Sequence, residues 1–294
     1  MKMTDEIKSE NERALELVSF YLNFIPNNIT AESIEAITDG NESFNDYAFS
    51  ALMSASCGLD PHGNPDDKFM FKKYFVPMIK GLSVNEYTEN PYYKNVKIPN
   101  EAFGKWRLET KSYAPFEAFV YDDLEMRNDG RLLPHIGYFT QKLEYPCVSE
   151  NGREWMTVTP NEINTMKKAI GSAFGNALTF GLGLGYYTYM VSLKDNVDSI
   201  TVVERDPEVI SLFEKYVLPQ FENRHKVRVI RADAFEYADN HLKNGGYDHV
   251  FTDLWHDPSD GMELYLKMKE REHLCPDTVF EYWIEKTIKL YLGE

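Results

Sequence analysis

Four short apolar segments in the second half of the chain each end on residues able to bind or react. Residues 177–180 run into Gly181, Gly183 and Gly185. Residues 199–203 run into Glu204, residues 226–230 into the turn holding Asp233, and residues 247–252 into Asp253. Glycines lack a Cβ and let a backbone turn sharply and approach a ligand. Glu204 stands 19 residues beyond Gly185, where a carboxylate can accept both hydroxyls of a ribose. Asp233, or the backbone amide of Ala234, is placed to meet an adenine edge. Asp253 ends the fourth segment, where a reactive group faces a substrate, and His256 and Asp257 follow it. The set reads as a nucleoside site beside a general base. Group transfer needs in-line positioning and a proton acceptor. Asp253 is the leading candidate base, with Asp257 and His256 next.

The elements that position these residues alternate. Helical stretches are expected over residues 186–194, 207–216 with Asp206 as N-cap, and 234–242, stopped by Asn244, Gly245 and Gly246. Strands alternating with helices imply a parallel sheet with right-handed crossovers, and such sheets bind ligands at the carboxyl ends of their strands. A dinucleotide fingerprint needs a third glycine at position 186, which is Tyr186. The GxGxG spacing suits a ligand without a pyrophosphate. Residues 261–271 are expected to be helical. Thr278 to Glu281 reads as a capping box, with Val279, Phe280, Trp283, Ile284 and Ile288 on one helical face. The chain is therefore expected to end in a helix, which leaves a C-terminally shortened sheet with no obvious place for a fifth strand, or one whose edge strand comes from residues 150–158. Asp257 has an alternative role as a helix cap, His256 as a backbone partner, and Trp255 as cleft wall.

The first half carries no motif tied to chemistry. Leu15, Val18, Tyr21, Leu22 and Ile25 recur at helical spacing until Pro26, and further helices are expected from Thr30 and from Ser43. Six prolines among aromatics predict short helices and loops over residues 61–125. A hairpin is expected around Asn151-Gly152. Thr159, Pro160 and Glu162 then form a helix start. These signals predict a mainly helical domain over residues 1–130. A Rossmann-like nucleoside domain led by the hairpin follows over residues 131–294.

Composition bounds the function. The 294 residues carry 31 Lys and Arg against 47 Asp and Glu, a net charge of −16. Such a balance argues against nucleic acid as partner, since phosphate backbones need clustered bases. Half of the excess lies in residues 1–60, with 11 acids and 3 bases. That run reads as a solvated face. No apolar run is long enough for a membrane span and no secretory signal opens the chain, so a cytoplasmic protein without membrane partner is expected. Cys57, Cys147 and Cys275 are sparse and unpaired in pattern, and the histidines show no metal-ligand spacing. No metal site is expected. A small-molecule substrate is, and the aromatic first half leaves a homodimer open.

Residues 176–258 resemble the core of the class I S-adenosylmethionine-dependent methyltransferase superfamily. Residues 177–185, Ala-Leu-Thr-Phe-Gly-Leu-Gly-Leu-Gly, resemble its first motif, and residues 202–206, Val-Val-Glu-Arg-Asp, its second. Residues 231–236, Arg-Ala-Asp-Ala-Phe-Glu, resemble the third, and residues 247–253, Tyr-Asp-His-Val-Phe-Thr-Asp, the fourth. The Asp-Ala-Phe-Glu run and the Asp-Pro after the fourth segment are similar to spermidine synthases, which use decarboxylated S-adenosylmethionine on this fold. The resemblance implies that Gly181, Gly183 and Gly185 line the methionine and ribose portions. Glu204 would hold the ribose, and Asp233 the adenine amino group. The chain departs from the synthases in having one residue more between Asp253 and Asp257, and in lacking their His-Glu pair before the glycines. The leading reading is an S-adenosylmethionine-dependent methyltransferase. The alternatives are an aminopropyltransferase using decarboxylated S-adenosylmethionine and a non-catalytic nucleoside-binding or scaffold protein.

Overall fold

A computed structural model describes residues 4–293. Twelve strands run through them: β1 (Ile79–Leu82), β2 (Glu101–Phe103), β3 (Trp106–Tyr113), β4 (Phe119–Met126), β5 (Leu132–Phe139), β6 (Leu143–Glu150), β7 (Arg153–Thr157), β8 (Gly175–Phe180), β9 (Val197–Glu204), β10 (Val227–Arg231), β11 (His249–Thr252) and β12 (Val279–Tyr282). The chain forms two compact units. One runs to Tyr87 and resumes over Ser112–Glu144; the other holds Thr88–Lys111 and everything from Tyr145 onward.

In the first unit, the helix Asp5–Phe24 buries Ala14, Val18 and Tyr21 and stops at Ile25, ahead of Pro26. The helices Ala31–Thr38 and Asn45–Ser56 follow, and all three contribute to one core with Phe49, Tyr74, Phe75 and Tyr138. A three-stranded sheet ordered β1-β5-β4 completes the unit. Phe49 stacks on Tyr138 at 4.4 Å, and Asp46 accepts from the Tyr138 hydroxyl at 2.7 Å and from the Gly81 amide at 2.8 Å. Residues 101–125, part of the stretch expected as loops and short helices, instead contain β2, β3 and most of β4. Their polar residues alternate with Trp106, Leu108 and Phe119, which are buried, and that period of two belongs to a strand.

The second unit is built on a parallel sheet ordered β10-β9-β8-β11-β12, a Rossmann-like arrangement in which neighbouring strands β8 and β9, β8 and β11 all run the same way. The expected hairpin forms around Asn151 and Gly152, both at positive φ, joining antiparallel β6 and β7. The helix Pro160–Ser172 opens with the expected reciprocal cap between Thr159 and Glu162. The helices Tyr186–Ser192, Pro207–Leu212 and Ala234–Gly245 alternate with the strands.

The end of the chain corrects the expectation. Residues 279–282 are not helical: they are β12, a fifth parallel strand beside β11. Val279 donates to the Asp248 carbonyl at 3.0 Å and Trp283 to that of Thr252 at 3.0 Å. Val, Phe and Tyr in a run of four suit a pleated edge, and a window so short fits either period. Pairing with the open side of β11 decides between them. The final helix, Glu285–Leu292, starts only after Ile284, which takes a left-handed φ of 47°. Among the described residues no helix is long and apolar enough to cross a membrane.

Candidate active site

Register brings the ends of the central strands into one row. Phe180 pairs with Val203 on one side and Thr252 on the other, and Arg231 pairs with Glu204. Asp253 donates its amide to the Phe180 carbonyl at 2.9 Å, and Gly181 donates to Val203 at 3.0 Å. Gly181, Glu204 and Asp253 therefore lie side by side at the carboxyl edge of the sheet. Gly181 has φ 95°, and a Cβ on it would fall 1.9 Å from the Asp253 carbonyl oxygen. No other residue type permits that approach. Gly183 has φ 50° and Gly185, at φ 72°, precedes the helix Tyr186–Ser192.

The predicted ribose acid is tied to this loop. Glu204 accepts from the Leu182 amide at 3.3 Å through Oε2 and from the Asp206 amide at 2.8 Å through Oε1. Burial raises its carboxyl above the usual carboxylate range, against those hydrogen bonds. Asp233 accepts from the Phe235 and Glu236 amides at 2.8 and 3.1 Å, both through Oδ1, and Ala234 begins the helix that it caps. The glycine loop, Glu204 and Asp233 thus form three adjacent strand-end positions with carboxylates and free-turning backbone, a set that fits a nucleoside.

Asp253 faces a small cavity of about 20 Å³, roughly the room of one water. Its wall includes Met156, Glu162, Met166, Gly181, Leu182, Tyr186, Tyr187, Phe251 and Asp253. Burial first, and the charge of Glu162 second, push the Asp253 carboxyl from 3.8 up to about 8. Glu162 is held by the Thr157 hydroxyl at 2.8 Å, the Thr159 amide at 2.9 Å and the Thr159 hydroxyl. The cavity therefore carries two facing carboxylates, and none of its lining residues is Lys or Arg.

The other two candidates lie elsewhere. Asp257 caps the helix Pro258–Lys269, accepting from the Ser259 amide at 2.7 Å and its hydroxyl at 2.5 Å, which hold its carboxyl below the usual range. His256 contacts Asp260 through Nδ1 at 3.0 Å and meets the Trp155 ring edge-on, with centroids 3.8 Å apart. Neither lines the cavity. Trp255 is buried against Gly261, where an added Cβ would lie 2.9 Å from its ring.

Two further contributors lie outside the four strand-end motifs. Glu162 read only as a helix cap, and a capping box gives no hint that its carboxylate also faces a strand end across a cavity. The short helix Pro91–Asn95 braces the glycine loop: the Tyr92 hydroxyl donates to the Leu184 carbonyl at 2.6 Å, and Asn90 and Asn95 donate to the Tyr186 and Tyr189 hydroxyls at 3.0 and 2.9 Å. Asn90 before Pro91 was the available signal, a cap with proline in the first turn.

Residues 172–274 match the family model of the spermine/spermidine synthase domain. The four motifs that suggested the resemblance all fall within this span. Among solved structures, the spermidine synthase of Thermotoga maritima is 15% identical over 48% of this chain and 52% of its own, with a TM-score of 0.33. A spermidine synthase in complex with the transition state analogue AdoDATO is 18% identical over 48% of this chain and 54% of its own, with a TM-score of 0.35. A putative O-methyltransferase from Klebsiella pneumoniae is 17% identical over 32% and 42%, with a TM-score of 0.26. The chain spans about half the length of the spermidine synthases it matches. No curated protein matches it by sequence.

Proposed function

We propose that this chain is an aminopropyltransferase of the spermidine synthase type, moving the aminopropyl group of decarboxylated S-adenosylmethionine to an amine acceptor. The observation that carries this reading is the pair of carboxylates, Asp253 and Glu162, on a cavity beside the glycine loop that has no basic residue in its lining. S-adenosylmethionine carries an α-carboxylate at the end of its sulfur-bearing arm. Such a group needs a cationic or amide-rich partner; the lining holds no Lys or Arg, and the charge of Glu162 opposes it. An arm that ends in an ammonium, and an amine acceptor, both suit the same walls. The match to the synthase domain points the same way, so the aminopropyl alternative replaces methyl transfer as the leading reading.

In this reading Gly181, Gly183 and Glu204 hold the nucleoside, and the acceptor amine lies against Asp253. With a carboxyl near 8, Asp253 carries a proton at neutral pH in the free protein. An arriving ammonium stabilises the carboxylate form and lowers that value. The carboxylate then takes the acceptor's proton. The nitrogen lone pair forms the new N–C bond as the C–S bond breaks, and the bonding electrons stay on sulfur, leaving a neutral thioether nucleoside.

The test is to incubate the protein with decarboxylated S-adenosylmethionine and an aliphatic diamine and to follow methylthioadenosine by chromatography. The reading expects its release, and no methyl transfer when S-adenosylmethionine is supplied instead. Methyl transfer without methylthioadenosine would restore the methyltransferase reading.

A further inference from the structure

Strand β7 carries a feature that neither the motifs nor the proposed reaction uses. Met156 lies directly over the glycine loop: a Cβ on Gly183 would fall 2.1 Å from its Sδ and 2.2 Å from its Cε. The thioether fills the space that the glycine leaves open. The same side chain lines the cavity that Asp253 faces, whose volume of about 20 Å³ is far below the several hundred that a nucleoside-sized ligand takes up.

Local structure aims Met156 there. Val148 pairs with Met156, but Ser149 pairs with Glu154, so Trp155 is the extra residue of a β-bulge. A bulge breaks the alternation of side chains and re-aims them. Trp155 is held on both sides, edge-on to Trp106 at 5.6 Å and to His256 at 3.8 Å. Trp106 donates in turn to Asp206 at 3.2 Å, and His256 contacts Asp260. A row of aromatic rings therefore runs from the loop after β9 to the loop after β11, across the glycine loop between them. The bulge has a cost beside it, since the Ser149 hydroxyl is buried without a hydrogen-bond partner.

We infer that Met156, held over Gly183 by the bulged strand β7, occupies the subsite of the ligand's sulfur-bearing arm and must leave it before a nucleoside that carries such an arm binds fully. Its side chain ends in a methyl thioether, the same group that forms the arm of methylthioadenosine. The side chain is unbranched and flexible, so it can rotate out without moving the strand. Each binding of a ligand with an arm then carries the cost of displacing it, and the apparent affinity for that ligand falls by the fraction of molecules in which the subsite is open. Met156 acts as a specificity residue: it penalises ligands with an arm and leaves a bare nucleoside nearly untouched. This inference rests on the nucleoside reading above.

Calorimetric titration tests it with two probes, methylthioadenosine, which has a thioether arm, and adenosine, which has none. Met156→Ala is expected to tighten methylthioadenosine by about tenfold and adenosine by less than about threefold. Met156→Leu, which keeps the bulk, is expected to hold both near wild-type values and shows that the strand tolerates substitution. Equal changes for the two probes, or weaker binding of methylthioadenosine to the alanine variant, overturn the role of Met156 while leaving the nucleoside site standing. Binding of neither probe to any of the three proteins overturns the nucleoside reading and this inference with it.

Discussion

Replacing Asp253 by Asn removes a titrating carboxyl without changing shape, and the structure fixes how stability should respond to pH. In the folded chain the Asp253 carboxyl titrates near 8, against about 3.9 in an unfolded chain. Between these values the folded state holds a proton that the unfolded state has released. Stability must therefore fall as pH rises through this window and level off above 8. From pH 5 to pH 9 the folded group keeps its proton over about three pH units, equivalent to about 4 kcal/mol. Asp253 keeps partial contact with solvent, which trims the figure to roughly 2–4 kcal/mol. Asn is neutral in both states, so Asp253→Asn should gain on the wild type by that amount between pH 5 and pH 9. Urea unfolding of both proteins at pH 5, 7 and 9 in the same buffer measures the gap. A gap that stays constant across the range refutes the claim that Asp253 is buried beside Glu162. The same variant should still bind nucleoside and lose turnover.

Four further outcomes follow from the geometry. Glu204→Ala should weaken methylthioadenosine binding by roughly 10- to 100-fold in a titration, the worth of one or two hydrogen bonds to a charged acceptor. Gly181→Ala places a Cβ against the Asp253 carbonyl at a left-handed φ, and should cost roughly 3–5 kcal/mol of stability by denaturant unfolding. Asp257→Ala should cost about 1 kcal/mol, the value of a helix cap, and leave turnover in place, which separates capping from catalysis. His249 is buried between the Ser172 and Tyr187 hydroxyls, and burial lowers it from 6.5 to about 4. The unfolded chain takes up its proton first, so up to about 3 kcal/mol of stability present above pH 6.5 should be lost as pH falls toward 4, and His249→Gln should flatten that slope.

What the sequence displays and what it hides divide along physical lines. The four strand ends were legible because a buried parallel strand is a short apolar run and its end is marked by a glycine or an acid. Asp206, Thr159 and the Asn151-Gly152 turn were legible because caps and tight turns are local chemistry. Strand β12 is hidden in the sequence because Val279 to Tyr282 is short enough to suit two periods, and only its pairing with β11 selects one. The strands within residues 101–125 are rich in polar residues, and the prolines around them read as loop. The bracing of the glycine loop by Tyr92 and the meeting of Glu162 with Asp253 join residues about 90 positions apart. No local pattern encodes such contacts. The bulge at Trp155 is likewise a property of pairing, invisible until β6 and β7 are set in register.

The central claim is that a nucleoside with a cationic arm is consumed at the carboxyl edge of the parallel sheet, with Asp253 taking the acceptor's proton. The most direct measurement is methylthioadenosine release from decarboxylated S-adenosylmethionine and a diamine, by wild type and by Asp253→Asn. The account predicts release by the wild type, with a rate that falls at least about 100-fold in the variant. Equal release by both proteins, or release by neither while S-adenosylmethionine is turned over, contradicts it.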